Sequence, residues 1–413
     1  MKKQLILFVC PGRDSLGELH NAVTAALSAT DSFDFEFFVS GRFESYVADN
    51  GLTAHHMSRG QDGVAEVLQF VEARRPAHVI IADHHLFRLE RTGILIKDFE
   101  PIFDSLSSFD SLGLAPSKVE LGFALSRLDG AERIARWLPS TLEIDSLPGS
   151  IRPIRPVPVA NGPFLESFAL YPTVPVPQTP GFLVREEFGV PPDALLVVFA
   201  RSKWAKHIYF LLSMLSRNRG IGASPSDAMV AWIHEAFSRL NRPVVVFGLE
   251  TSRALPFGSQ VTLRSLPLLG MQAFDDLLGA SDLYLTDNLV SAAMARAARL
   301  GTPCLAMTNL RGQKSADSFS TAWHSRMAVE TPGYDFPFIV NPFGWVDELS
   351  HLTQDNPYLE SVPRVEIFDL DQLTAAIDRE VRSTNPAASV ALETAYIELR
   401  SFEELVHSLI ERR

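Results

Sequence analysis

The feature that most restricts this chain is an alternation, met twice, of short apolar runs with longer stretches of helical period. In the first half, residues 5–10 are an apolar run, and residues 18–29 place Leu19, Val23, Ala26 and Leu27 at helical spacing. Residues 33–40 read as a second strand interleaved with acids. Residues 64–73 put Val64, Val67, Leu68 and Val71 on one stripe, Pro76 stops it, and residues 78–82 form a third apolar run. Short β-branched runs separated by helices predict parallel strands joined by crossover helices.

Between Leu147 and Pro192 the pattern changes, with prolines recurring from Pro148 to Pro192. Such a composition argues against central strands and helix interiors. Phe164, Leu165, Phe168, Leu170 and Tyr171 keep it apolar, so an ordered, extended interdomain segment packed on a surface is expected. A second series follows. Strands are expected at 194–200, 244–247 (ending at Gly248), 260–265, 283–286 and 304–307, and helices at 207–217, 227–240, 273–278 and 289–300. Gly301-Thr302-Pro303 closes the last of these helices, glycine just past the end and proline after it. In the tail, Leu392, Tyr396, Leu399, Phe402, Leu405 and Leu409 hold helical spacing.

A chain of 413 residues exceeds one ordinary core. The expected organisation is an N-terminal domain over 1–165, a proline-rich segment over 166–192, a C-terminal domain over 193–385, and a helix over 386–413 packing back across the domains. A net charge of −12 argues against general affinity for nucleic acid or anionic membrane, while leaving room for a local basic pocket. The apolar run after Met1-Lys2-Lys3 is too short for a signal peptide, and Pro11-Gly12-Arg13-Asp14 follows it instead of a small-residue cleavage site. No apolar stretch is long enough for a membrane span. Cys10 and Cys304 sit in strand-like contexts and read as small buried hydrophobes. A cytoplasmic protein is therefore expected. Aromatic residues around Trp345 leave room for an interface, so a homodimer is a further expectation.

The second half resembles the donor-binding domain of the GT-B glycosyltransferase superfamily. The resemblance rests on Val184-Arg185-Glu186-Glu187-Phe188-Gly189-Val190-Pro191-Pro192-Asp193 and the strand after it, then on Gly248, then on residues 274–283. It closes with Thr286-Asp287-Asn288-Leu289-Val290-Ser291, the Ala-rich helix and Gly301-Thr302-Pro303. The strand, glycine-containing loop and helix over 5–27 are similar to the opening of the acceptor domain in that superfamily. Phe336-Pro337-Phe338 with Asn341-Pro342-Phe343-Gly344-Trp345 resembles a group of uncharacterised bacterial GT-B-like proteins. The resemblance implies an α/β fold of two Rossmann-like domains facing across a cleft. It also implies a nucleotide-diphosphate sugar as co-substrate, a small or carrier-linked acceptor, and no tightly bound cofactor.

Many such transferases carry a Glu on the Ala-rich helix, five residues before the glycine, to bind the donor ribose. Here that position is Arg296, which has donors only and cannot accept from a diol; it could meet a phosphate or carboxylate. Arg201, Ser202 and Lys203 directly follow a strand and suit a diphosphate, the plain alternative being solvated loop cations. Asn288 and Ser291 stand where a helix begins, as caps or as phosphate donors. On the acceptor side, Gly12, Arg13 and Gly17 lie in the loop between the first strand and the first helix, and His20 or Glu18 could serve as base. Ser15 and Glu18 also fit a capping box, a purely structural use. Asp83 and His84 follow the third apolar run as acceptor-side candidates. Metal ligation is disfavoured there, because adjacent residues of an extended chain point to opposite faces.

No P-loop, G-x-G-x-x-G, G-x-S-x-G or paired C-x-x-C pattern is present. The resemblance implies a GT-B-type glycosyltransferase without a tightly bound metal. A sugar-nucleotide epimerase using Glu18 and Asp83 is one alternative. A GT-B-like binding protein that has lost transfer chemistry, as Arg296 would suggest, is the other.

Overall fold

The computed structural model describes residues 3–10, 16–58, 60–82, 117–119, 152–157, 167–171, 175–201, 225–249, 259–289, 291–308, 356–367, 369–383, 387–396 and 399–411. The chain divides into two compact units, residues 1–173 with 396–413, and residues 174–395.

The first unit is built on a parallel sheet of β1 (Gln4–Cys10), β2 (Phe33–Val39), β3 (Thr53–His56), β4 (His78–Ile81), β5 (Ser117–Val119), β6 (Arg152–Val157) and β7 (Ser167–Ala169). Its order is β3-β2-β1-β4-β5-β6-β7. The helices α1 (Gly17–Leu27), α2 (Glu44–Asp49) and α3 (Gly60–Arg74) follow β1, β2 and β3. Side chains alternate between the two faces of β1 and both faces are covered, so its residues 5–10 are all apolar. Leu7 and Val9 join Val79 and Ile81 in a core with Val64, Val67 and Val71 of α3. Phe8, on the other face, stacks on Phe37 at 4.9 Å and meets Phe402 of the C-terminal helix (Phe402–Glu411) at 6.0 Å.

The second unit carries β8 (Leu195–Val198), β9 (Val244–Phe247), β10 (Val261–Arg264), β11 (Leu283–Thr286), β12 (Cys304–Thr308) and β13 (Arg364–Glu366). They form a parallel sheet in the order β10-β9-β8-β11-β12-β13, and the six strands, counted along the chain, take the 3-2-1-4-5-6 order of a doubly wound nucleotide-binding sheet. Around it lie α4 (Gly181–Glu187), α5 (Pro225–Ser238), α6 (Met271–Ala280), α7 (Ala292–Arg299), α8 (Pro357–Ser361), α9 (Leu370–Val381) and α10 (Ala387–Tyr396).

Three features depart from the sequence reading. The proline-rich stretch was expected to hold no interior strand, yet β6 contains Pro153 and Pro156 and lies between two neighbours. The pairing explains how: β5 pairs only with residues 152–154 of β6 and β7 only with residues 155–157, so each half of β6 is paired on one side. An edge position tolerates the missing N–H of proline. β7 likewise lies within the segment read as interdomain and belongs to the first sheet. The tail is two helices, and a capping box starts the second: Glu404 N donates to Ser401 Oγ (3.1 Å) while Glu404 Oε2 accepts from Ser401 N (2.8 Å).

Both cysteines are free and buried, and burial, reinforced by Glu380, pushes the Cys304 thiol well above its usual range. Among the described residues no helix is long and apolar enough to cross a membrane.

Candidate functional site

In an open parallel sheet, ligands bind beyond the carboxyl ends of the strands, where the strand order reverses. In the second unit that point lies between β8 and β11. After β8 the chain runs through Phe199 and Ala200 to Arg201; after β11 it passes directly to Asp287. The Arg201 guanidinium stands 3.0 Å from Asp287 Oδ2, and each side chain is only 4% exposed. The same guanidinium lies over the Phe199 ring, 5.5 Å from its centroid. A buried ion pair costs desolvation on both partners, and one placed where two strand ends diverge fixes an arginine at the ligand-binding edge.

The surrounding loops are tied down from within the unit. Gly248, just past β9, has φ +95°, and a Cβ there would come within 2.0 Å of the Phe199 carbonyl oxygen. Only glycine lets β9 turn so close to the end of β8. Thr286 Oγ1 accepts from Asn288 N (3.0 Å), which holds the backbone at Asn288. Ser291 caps α7, its Oγ accepting from Met294 N (3.2 Å), and Tyr284 Oη lies 3.2 Å from the same Oγ. Of the two roles open to Ser291, the cap is formed.

Arg296 lies in α7 and is buried; its Nε and Nη2 both donate to the carboxylate of Asp275 in α6. This fork-to-carboxylate pairing couples the two helices and accounts for an arginine at this position without a ligand. The neighbouring Asp276 accepts from Gln178 N, Thr179 Oγ1 and Gln272 Nε2, pinning residues 178–179 to α6.

In the first unit, α1 begins at Gly17 with Leu16 at its N-cap and no side-chain cap; Ser15, the other half of the expected capping box, lies outside the described residues. Glu18 is in the first turn, its side chain outside the described set. His20 follows, buried, with its Nδ1 at 2.6 Å from the hydroxyl of Tyr46 in α2. Asn21, next on α1, accepts weakly from Tyr171 Oη at 3.5 Å. His55 and His56 lie in the edge strand β3: His55 Nε2 meets Glu36 at 2.6 Å and His56 Nδ1 meets Glu44 at 2.8 Å. Arg74 also donates to Glu36 (2.6 Å), so this group serves the sheet edge.

Gly12, Arg13, Asp83, His84, Ser202 and Lys203 lie outside the described residues. Among the described residues no group of three or more His, Cys, Asp or Glu is placed to hold a metal ion.

Asp287 and Tyr46 were not singled out from the sequence. Asp287 had a usable signal, a carboxylate directly after a strand end; Tyr46 is 26 residues from His20 and had none.

The sequence matches, over residues 24–409, a family described as a family of unknown function, DUF6365. No curated protein matches it. The fold is that of the GT-B glycosyltransferases. The spinosyn forosaminyltransferase SpnP is 12% identical, with a TM-score of 0.56 over 100% of this chain and 99% of its own. The Anabaena protein HepE, solved in complex with UDP-glucose, is 11% identical, with a TM-score of 0.52 over 99% of this chain and 100% of its own. A glycosyltransferase from Rickettsia africae is 12% identical, with a TM-score of 0.51 over 100% of this chain and 98% of its own. At such identities the likeness establishes the fold.

Proposed function

The chain belongs to the family of unknown function DUF6365, and from that premise we propose that it is a glycosyltransferase moving a sugar from a nucleotide-diphosphate donor to a small or carrier-linked acceptor. The observation that carries this reading is the buried Arg201–Asp287 pair at the point where the second sheet reverses its strand order. An arginine fixed there suits a diphosphate, and the N-terminus of α7 adds a positive dipole end at the same edge. That HepE was solved with UDP-glucose supports a nucleotide sugar as the donor class on this fold.

The chemistry follows from charge. As the bond from the sugar carbon to the diphosphate oxygen breaks, its electron pair leaves with the nucleoside diphosphate, and donors held at that oxygen stabilise the developing charge. Arg201 supplies such a donor, with Ser202, Lys203 and Asn288 as further donor-side contacts and Gly248 shaping the loop. Ser291 contributes by capping α7. On the acceptor side a base removes the hydroxyl proton as the new bond forms. His20 is our choice, with Glu18 and Asp83 as the other candidate catalytic groups and Gly12, Arg13, Gly17 and His84 as acceptor-side candidates from the sequence. No tightly bound metal enters the proposal.

Calorimetry of the full chain against nucleoside diphosphates and nucleotide sugars tests it. Saturable binding that Arg201→Lys weakens about tenfold or more supports a donor site, because lysine keeps the charge but loses the planar fork. A well-folded wild-type protein that binds none of the panel would sink the reading.

A further inference from the structure

We propose that Tyr46 is the positioning residue that sets the tautomer of His20, its phenol oxygen accepting from Nδ1–H so that Nε2 keeps the lone pair that takes the acceptor proton. The inference rests on the reading of His20 as the base. α1 follows β1 and α2 follows β2, so His20 and Tyr46 start from neighbouring parallel strands on the carboxyl edge of the first sheet. Both side chains are buried, and Nδ1 and the hydroxyl approach to 2.6 Å, within hydrogen-bond range. The ring centroids lie 6.3 Å apart at 42°, so the contact is made by the hydroxyl and not by stacking.

A neutral imidazole has one N–H and one lone-pair nitrogen, and the partner of one nitrogen decides what the other offers. Were Tyr46 to donate to Nδ1, the proton would sit on Nε2 and the ring could not act there as a base. With Nδ1–H donating to the phenol oxygen, the acceptor O–H breaks, Nε2–H forms, and the acceptor oxygen keeps the electron pair with which it bonds the sugar carbon. The leaving diphosphate carries away the pair of the broken sugar–oxygen bond. The ring is then an imidazolium, and its Nδ1–H contact to Tyr46 becomes charge-assisted and stronger.

The test needs no substrate. The chain has eleven histidines, so nitrogen NMR of the 15N-histidine-labelled full-length protein requires assignment, and the signals lost in His20→Gln identify His20. With the ring neutral, we expect a protonated Nδ1 and an unprotonated Nε2 in the wild type. In Tyr46→Phe, which removes only the hydroxyl, the Nδ1–H form should cease to dominate. A protonated Nε2 in the wild type overturns the inference, as does a tautomer unchanged in Tyr46→Phe; should that variant not fold, the wild-type spectrum decides alone. Where nucleotide-sugar turnover is measured, Tyr46→Phe should lower kcat about 10- to 100-fold with KM nearly constant. Nucleotide calorimetry distinguishes the two failures: binding without the expected tautomer removes the role of Tyr46 alone, and the expected tautomer without binding removes the transferase reading alone.

Discussion

Arg201 and Asp287 meet 3.0 Å apart at the ends of two adjacent parallel strands, with both side chains almost wholly buried. Removing one member of such a pair strands the other charge in a poorly solvated place, which costs about 3–5 kcal/mol. Arg201→Ala and Asp287→Ala should each destabilise the second unit by that order, and the double variant should cost less than the sum. Urea unfolding of the four proteins checks this, and strictly additive losses would show that the two side chains do not interact.

Arg296 gives the contrasting case. Its guanidinium is engaged by Asp275, between two helices. Arg296→Met should therefore lower stability through the stranded Asp275 carboxylate, and Arg296→Met with Asp275→Leu should recover much of the loss. Nucleotide affinity in the double variant should match the wild type. A large loss of affinity in that folded protein would return Arg296 to the donor site.

Much of this was legible in the sequence because the physics is local. The runs that became β1, β4, β8, β9, β11 and β12 are buried on both faces over most of their length and so are nearly continuous in apolar residues. The stop at Gly301 was readable for the same reason: φ +77° there calls for glycine. β3, with the sequence Thr53-Ala54-His55-His56, was missed because an edge strand has one partner and keeps its polar residues. β6 was missed because proline's usual exclusion from strands gave way to a half-and-half pairing that only the tertiary fold creates. The site followed the same rule. Arg201 was visible from its place after a strand, while its partner Asp287 lies 86 residues on, and the contact of His20 with Tyr46 depends on where two crossover helices land.

The two glycines at positive φ after β9 and α7 should respond differently to alanine. At Gly248 the added carbon meets the Phe199 carbonyl oxygen at 2.0 Å, in addition to the unfavourable φ of +95°. At Gly301 nothing lies within 4 Å, and only the φ of +77° opposes a side chain. Gly301→Ala should cost about 1 kcal/mol, and Gly248→Ala about 3 kcal/mol or more, since backbone must shift as well. Equal losses in denaturant titrations would mean that the Phe199 carbonyl moves freely.

Phe402 packs against Phe8, Phe35 and Phe168 at centroid distances of 6.0, 6.2 and 5.1 Å, so the first sheet depends on a helix from the other end of the chain. Phe402→Ala should cost about 3–5 kcal/mol. Because the chain has two units, hydrogen exchange is the suitable measure. Protection should fall across β1 and β2 and stay unchanged across β8 and β9. Uniform loss in both sheets would show that the two units unfold as one.

Acid should weaken the second unit in two separate windows. Burial lowers the His234 pKa, against an opposing pull from Glu235, and its Nε2 lies 2.9 Å from Ser259 Oγ. The unfolded chain thus binds this proton more readily than the folded one, so stability is complete above pH 6.5 and falls as pH drops below it. At Asp276 burial raises the pKa, but hydrogen bonds from Thr179, Gln272 and Gln178 outweigh it and the net shift is downward. Its contribution is present above the ordinary aspartate value of 3.8 and is lost as pH falls through the lower folded value. In urea titrations across pH, His234→Gln should flatten the decline just below pH 6.5 and leave the more acidic limb intact. Asp276→Asn should lower stability at neutral pH and flatten only the limb below 3.8. A change of slope near pH 6 in Asp276→Asn would show that its carboxylate is not held by these three residues.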